Sequence, residues 1–255
     1  MDRLDISYKA FECRKNLNLD NVSPIDIFSI VEEELSHITL ILYPFSNSIS
    51  GMYICSDDIK CIAINSNMSY GRQRFTLCHE LYHYYFNSKE SLIQLCSMKL
   101  NTKDENEINA DNFASFLLAP YDSLKNKFHE VCKDNEPTIE QIIRLEQFYG
   151  ISHQALLWRL NMDNLISKDT LQKLSLPHIS QIAQAYGYSA KLYFPIEKKS
   201  IKKTFGAYIR DAKLIFDNGL ITQGKYEEFL LQAYRSDLVY NESEENYRES
   251  DLGEE

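Results

Sequence analysis

Several features that would place the chain outside ordinary globular proteins are missing from its sequence. No apolar run approaches the roughly 20 residues that a membrane-spanning helix needs, and the first residues, MDRLDISYKAFECRKN, lack the apolar core of a signal peptide. Glycine and proline are sparse, at 8 and 6 of 255 residues, which excludes a collagen-like or low-complexity chain. We therefore expect a cytoplasmic globular protein that does not contact a membrane.

Paired cysteines and a basic excess are missing as well. The six cysteines are scattered without a CxxC pair, which favours reduced thiols over a disulfide framework. The net charge is −10, and seven acidic residues stand against one arginine in 241–255, a segment that we predict to be a disordered acidic tail. Because phosphate contacts need a basic face, direct nucleic-acid binding is not expected.

The remaining pattern predicts an α+β fold in which helices predominate. Segment 22–35, VSPIDIFSIVEEEL, has Ser23 as a helix N-cap and Pro24 at the first helical position. Three apolar, β-branched runs then predict a small antiparallel sheet, at 37–45, 48–56 and 60–66. From Tyr70 to about Leu231 nearly every segment has helical periodicity. The sheet is therefore expected near the N-terminus and helices after it.

Segment 138–160, TIEQIIRLEQFYGISHQALLWRL, predicts a helix-turn-helix-like hairpin. Thr138 and Gln141 have capping-box spacing, and Gly150 is placed to end the first helix. Such a hairpin reads DNA when its second helix carries cations, but Arg159 is the only firm cation there. A packed helical hairpin is the favoured interpretation, and a DNA reader is the alternative.

The segment RFTLCHELYHYYF, residues 74–86, places two histidines and a glutamate in an apolar helix. His79 and His83 are four residues apart, so both can point at one ion, and Glu80 lies beside that ion as a base. A helix that is apolar all round is a buried one, and buried imidazoles and carboxylates need partners, which a divalent cation supplies. The alternative is a core helix that carries these residues without a metal.

A third ligand is offered by ENEINADNFASFLLAP, residues 105–120. Glu107, Ala110, Asp111 and Ala114 share one helix face, and the two small residues allow close approach to the motif helix. Glu107 is predicted to complete the three protein ligands of a catalytic zinc. Asp111 can orient a ligand histidine through its other ring nitrogen. In the competing interpretation both carboxylates are ordinary solvated charges.

The sequence resembles the ImmA/IrrE-type metallopeptidases over roughly residues 40–165. The resemblance lies in the segments RQRFTLCHELYHYYF and EINADNFASFLLAP and in the preceding GMYI and CIAIN. The resemblance implies a zinc-dependent, gluzincin-like endopeptidase that cleaves a partner protein, commonly a helix-turn-helix transcriptional repressor, in a mobile-element, phage or stress response. By this resemblance, the metal ligands are His79, His83 and Glu107, and the catalytic glutamate is Glu80. Manganese is a possible substitute for zinc, because this ligand set accepts several divalent ions.

We accordingly predict a zincin-like metallopeptidase domain at 1–165 and a helical C-terminal extension at 166–240. A substrate is expected to pair, as an extended strand, with the strand before the motif helix.

Tyr82 departs from the resembled pattern, which usually has a small residue at that position. Its ring is expected either to line the cleft or to displace a neighbouring segment. In the cleft its hydroxyl is a candidate oxyanion donor, as are those of Tyr84 and Tyr70. Tyr82 keeps open an alternative function, a metal-containing non-proteolytic regulatory or binding module. Three protein ligands beside an open position favour catalysis, since structural zinc sites usually have four.

Overall fold

The computed structural model describes residues 2–56, 59–87, 92–97, 104–132, 136–195 and 201–240, and for 92–97 the backbone alone. The predicted acidic tail, 241–255, lies outside the described residues. In chain order the elements are α1 (Arg3–Asn16), α2 (Ile27–Glu34), β1 (Thr39–Tyr43), β2 (Ile49–Ser56), β3 (Ile59–Asn65), α3 (Tyr70–Phe86), β4 (Leu92–Ser97), α4 (Glu105–Leu118), α5 (Tyr121–Val131), α6 (Ile139–Tyr149), α7 (His153–Met162), α8 (Lys168–Leu174), α9 (Ile179–Ala185), β5 (Lys203–Gly206), α10 (Ala207–Asp217), α11 (Gln223–Gln232) and α12 (Ser236–Tyr240). A short 3₁₀ turn, Lys191–Tyr193, precedes β5. Within these ranges, no helix has both the length and the apolar character that crossing a membrane requires.

The predicted α+β class is confirmed, with a small sheet, a predominance of helix and a helical C-terminal part. The sheet has the order β4-β2-β3-β1-β5. It is mixed rather than wholly antiparallel: β1 runs parallel to β3, and the other neighbouring pairs are antiparallel. The chain leaves β1, passes the end of β3 and returns as β2, so β1 and β2 are not neighbours.

Asn65, the last residue of β3, explains why the chain can cross there. Its side-chain amide donates to the carbonyl oxygens of Phe45, Ser46 and Ile49, at 3.3, 3.1 and 2.7 Å. These bonds satisfy the backbone of the crossing segment. Hydrophobic periodicity carries no signal of a single amide that fastens a loop, which is why the pattern predicted simple hairpins.

β3 lies between β2 and β1, so both of its edges are already paired. The expectation that a substrate pairs with the strand before the motif helix is therefore wrong. β4, which the sequence pattern did not predict, occupies one edge of the sheet.

β5 also corrects the sequence interpretation, because helix was predicted over its residues. It pairs antiparallel with β1, and α10 begins only at Ala207. Gly206 has φ +79°, and a Cβ there would lie 2.3 Å from the carbonyl oxygen of Ile38. The backbone turns from strand to helix at this glycine because only a residue without a side chain fits so close to β1. The predicted C-terminal extension thus contributes a strand to the sheet of the predicted metallopeptidase domain.

The first helices differ from prediction as well. α1 was not predicted, and α2 begins at Ile27 rather than after Ser23. The hydroxyl of Ser23 donates to Asp20, and its carbonyl accepts from the buried Arg14. Arg14 also donates to the carbonyl of Leu117, at 2.6 Å. These contacts hold residues 20–23 in a turn and fasten that turn to α4.

Residues 138–160 contain α6 and most of α7. Thr138 and Gln141 make both bonds of a capping box, and Gly150 ends α6 with φ +64°. Arg159 is fully buried, where it pairs with Asp163 at 2.6 Å and donates to Ser115 at 3.0 Å. The one firm cation of α7 is therefore unavailable to a phosphate backbone, which removes the basis for DNA reading by this helix.

Candidate metal centre

α3 lies in the middle of the core, against β2 and β3 on one side and α4 on the other. Leu77, Cys78 and Leu81 are fully buried and hold the helix between these layers. The two histidines and the glutamate of the motif are buried with them: His79 is 2 % exposed, and Glu80 and His83 are 0 % exposed. Ionisable groups this deep need compensating partners, because burying a charge without one is costly.

α4 presents Glu107 to the two histidines from the opposite side. Asp104 caps the helix by accepting from the backbone N–H of Asn106, which starts α4 one turn before the acidic face. Ala110 and Ala114 are fully buried, as expected for residues that let two helices approach closely. The small side chains and the cap together set the position at which Glu107 meets α3.

The three predicted ligand residues converge on one point. His79 Nε2 lies 3.1 Å from His83 Nε2, while the two oxygens of Glu107 lie 3.3 and 3.4 Å from the Nε2 atoms of His79 and His83. A tetrahedral zinc with bonds of about 2.0–2.1 Å separates its ligand atoms by roughly 3.3 Å. Each observed separation is close to that value, so the two imidazoles and the Glu107 carboxylate fit a metal ion held between them. In the described part of the chain, this is the one such group of three or more His, Cys, Asp or Glu side chains.

The electrostatics of Glu107 favour its charged form. Burial acts to raise its pKa, but the contacts with the imidazoles of His79 and His83 outweigh burial and hold the pKa of this carboxyl well below its usual range. A carboxylate that stays ionised and faces two imidazole nitrogens provides a net negative cavity for a cation.

Asp111 lies one turn after Glu107 and contacts the far side of His79. Its Oδ1 is 2.9 Å from His79 Nδ1. A carboxylate at this distance accepts the Nδ1 proton and so leaves the lone pair of His79 Nε2 directed toward Glu107 and His83. The structure thus brings Asp111 to the position expected from helical spacing.

Glu80 faces the sheet at Gly51 of β2. A Cβ added to Gly51 would lie 2.5 Å from Thr76 Cγ2 and 3.0 Å from Glu80 Oε1. Glycine is therefore what allows α3, and with it the Glu80 carboxylate, to approach the strand so closely. Sequence analysis missed Gly51, although an isolated glycine inside a strand pattern is a known signal of such an approach.

Tyr82 lies on the α4 side of α3 and is 2 % exposed. Its ring packs on Phe86 and Phe113, with centroids 5.1 and 5.7 Å apart, and Asn109 hydrogen-bonds its hydroxyl. Burial raises the pKa of this hydroxyl. The ring thus lies in the interior beneath α1, whose Lys9 Nζ is 5.6 Å from its centroid, and not on the exposed wall of a cleft.

Two asparagines near the site carry no signal in the motif and were missed by sequence analysis. Asn87, the C-cap of α3, has its Nδ2 3.1 Å from His83 Nδ1. Asn106 of α4 donates to Asn87 Oδ1, also at 3.1 Å. His83 therefore has a polar partner on its outer nitrogen, as His79 has in Asp111.

The sequence matches the Peptidase_M78 family model, described as the IrrE N-terminal-like domain, over residues 33–161, just over half of the chain. This segment contains β1 to β4 and α3 to α6, including the whole His79–His83–Glu107 group. No curated protein matches the chain. The chain belongs to the Peptidase_M78 (ImmA/IrrE) family of metallopeptidases.

Proposed function

We propose that this metallopeptidase is a zinc-dependent endopeptidase in which His79, His83 and Glu107 hold the ion. The observation that carries the proposal is the convergence of the three side chains: the two Nε2 atoms lie 3.1 Å apart, and the Glu107 oxygens lie 3.3 and 3.4 Å from them, which fits a tetrahedral ion. The His2Glu set also accepts manganese, so the metal is identified by measurement rather than by geometry.

Glu80 is the proposed general base and acid. When bound, zinc polarises the scissile carbonyl and lowers the pKa of a coordinated water to about 7. Glu80 takes the proton of the attacking water and returns it to the leaving amine. Glu80 directly follows the ligand His79 and is completely buried, which supports this role because proton transfer needs a fixed carboxylate rather than a mobile one. Asp111 keeps His79 in the tautomer that binds metal.

The competing proposal, a non-proteolytic module with a structural metal, predicts a closed site. In the described residues the group has three protein side chains, which leaves a fourth tetrahedral position for water or substrate. Glu80, which directly follows the first ligand His79, favours catalysis as well, because the motif places a base between two metal ligands.

We further propose that the substrate is a partner protein, a helix-turn-helix transcriptional repressor, cleaved in a mobile-element, phage or stress response. Family membership supports a protein substrate. β4 is proposed as the strand that pairs with an extended segment of the substrate, since it is the edge strand next to β2, against which the motif helix packs. Specificity would come from docking of the partner around the site.

Cleavage of a candidate repressor by the purified, zinc-loaded protein tests this proposal. We expect cleavage by the wild type, loss of cleavage in Glu80→Gln and retention of one metal equivalent in that variant. The Glu140→Gln variant is the matched control, because Glu140 is exposed on α6. Cleavage by Glu80→Gln at the wild-type rate would refute the role of Glu80, and metal-loaded protein that cleaves no partner would favour the binding module.

A further inference from the structure

Asn87 is fastened to His83 by two bonds. Its backbone N–H donates to the His83 carbonyl at 3.1 Å, as the C-cap of α3, and its side-chain Nδ2 lies 3.1 Å from His83 Nδ1. Asn106 Nδ2 donates to Asn87 Oδ1 at 3.1 Å. The Asn106–Asn87 pair therefore connects the outer nitrogen of one ligand histidine to the helix that carries Glu107.

The direction of these bonds sets where His83 carries its proton. An amide nitrogen can only donate, so Nδ1 of His83 accepts from Asn87 and the ring proton is on Nε2. That proton points to His79 Nε2, 3.1 Å away, while His79 keeps its own proton on Nδ1 toward Asp111. Both ring nitrogens of His83 therefore have a partner in the metal-free protein.

Metal binding requires the opposite tautomer of His83, because Nε2 must offer a lone pair and Nδ1 must carry the proton. Asn87 then has to present its oxygen to Nδ1. A half turn of the Asn87 amide does this and leaves its NH2 group facing Asn106. If the Asn106 amide makes the same half turn, its oxygen accepts a hydrogen bond from that NH2 group. Asp111 has no donor, so His79 has one tautomer in both states.

We propose that Asn87 and Asn106 are positioning residues that hold His83 in either tautomer and present its Nε2 to the metal, an inference that rests on the proposed metal centre. The two ligand histidines thus have different supports. Asp111 fixes His79 permanently in its metal-binding form, whereas the Asn106–Asn87 pair satisfies His83 before and after loading. His83 is the ligand whose proton moves from Nε2 to Nδ1, with no net proton gained or lost.

The affinity of the metal-free, full-length protein for Zn²⁺, measured by competition with a chromophoric chelator, tests this inference. We expect Asn87→Ala to bind Zn²⁺ about 10–100-fold more weakly than the wild type. Asn87→Asp should bind at least as tightly as the wild type, because its carboxylate accepts from both Nδ1 of His83 and Asn106. Asn112→Ala is the matched control, since Asn112 lies on α4 and bonds only to the carbonyl of Ile108 among its described partners.

Thermal unfolding of each metal-free variant shows whether it is folded. If Asn87→Ala is not folded, Asn106→Ala replaces it, and the same loss of Zn²⁺ affinity is expected. Wild-type affinity in the alanine variant, or equal weakening by Asn87→Ala and Asn87→Asp, would overturn the inference while leaving the metal centre intact. A wild-type protein that binds no Zn²⁺ would overturn both. Nitrogen-15 NMR of the zinc-loaded wild type should find His83 protonated on Nδ1, and an unprotonated Nδ1 would also contradict the inference.

Discussion

Replacing Gly51 with alanine should separate the position of the catalytic base from the metal ligands. The new Cβ would lie 2.5 Å from Thr76 Cγ2, 3.0 Å from Glu80 Oε1 and 3.1 Å from the Ala63 carbonyl oxygen. The methyl contact is too short to exist, so α3 or β2 must shift. Overpacking of this kind costs about 1–3 kcal/mol in the free energy of unfolding.

The expected effect on activity follows from the contact with Glu80. Displacing a catalytic group by about 1 Å lowers turnover roughly 100-fold. The ligand histidines contact Glu107 of α4, and the atoms nearest the new Cβ belong to none of these three residues, so Gly51→Ala should still bind one metal equivalent. The assay is kcat for cleavage of the partner protein, measured together with metal content and urea unfolding.

Two further variants make the Gly51 prediction specific. Adding Thr76→Ser to Gly51→Ala removes the methyl at 2.5 Å, so stability should recover by about 1 kcal/mol or more while turnover recovers only in part. Gly224→Ala is the control, because a Cβ there meets nothing within 4 Å. If Gly51→Ala keeps both wild-type stability and wild-type kcat, the close approach of Glu80 to β2 is refuted.

Three other predictions concern stability. Arg14→Met should lower the free energy of unfolding by about 3–5 kcal/mol, because three backbone carbonyls lose a buried charged donor. Gly150→Ala should cost about 2 kcal/mol, since φ is +64° and a Cβ would lie 2.7 Å from the Arg74 guanidinium carbon. The buried pair of His153 and Glu146, 2.5 Å apart, should stabilise the fold less as pH rises above 6.5. Denaturant titrations of each variant and of the wild type measure all three.

The sign of the pH effect follows from both members of the pair. Burial alone would lower the pKa of His153, but the hydrogen bond to Glu146 raises it above 6.5, and burial raises the pKa of Glu146 more than His153 lowers it. A raised pKa in the folded state means that the folded state binds more protons, so its stabilisation is complete at low pH and is lost as pH rises. His153→Gln should therefore cost more stability at pH 6 than at pH 8, and a cost that grows with pH would contradict this account.

An unchanged free energy of unfolding in Arg14→Met would contradict the assigned role of its three carbonyl contacts. For Gly150→Ala, Gly187→Ala is the comparison, because Gly187 also has positive φ but its Cβ would meet nothing within 4 Å. The difference between the two glycine variants isolates the contact with Arg74. Equal costs would mean that backbone conformation alone accounts for the Gly150 effect.

The parts of the site that lie on single helices could be predicted from the sequence. Helical spacing places His79 and His83 on one face, and the same rule places Glu107 and Asp111 on another. The contact between these two faces could be predicted because both helices are apolar and α4 carries small residues on the face that meets α3. The geometry has these side chains where the spacing predicts, within hydrogen-bonding or ligand distance of one another.

The features that were mispredicted depend on contacts between distant segments. β5 is four residues long, and its strand conformation comes from pairing with β1, about 160 residues earlier. The parallel alignment of β1 and β3 depends on the amide of Asn65. The position of the Tyr82 ring depends on the pocket that Phe113 and α1 form around it. Local patterns carry no information about such partners, because tertiary packing decides between conformations of similar local energy.

Metal analysis of the purified protein by mass spectrometry tests the central claim most directly. After zinc loading and dialysis, the account predicts one equivalent of zinc in the wild type, in Glu80→Gln and in the exposed-site control Glu140→Ala. It predicts loss of that zinc in Glu107→Ala, because two histidines alone leave the tetrahedral site half empty. Zinc retained at one equivalent in Glu107→Ala, or absent from the wild type, would contradict a metal centre built from His79, His83 and Glu107.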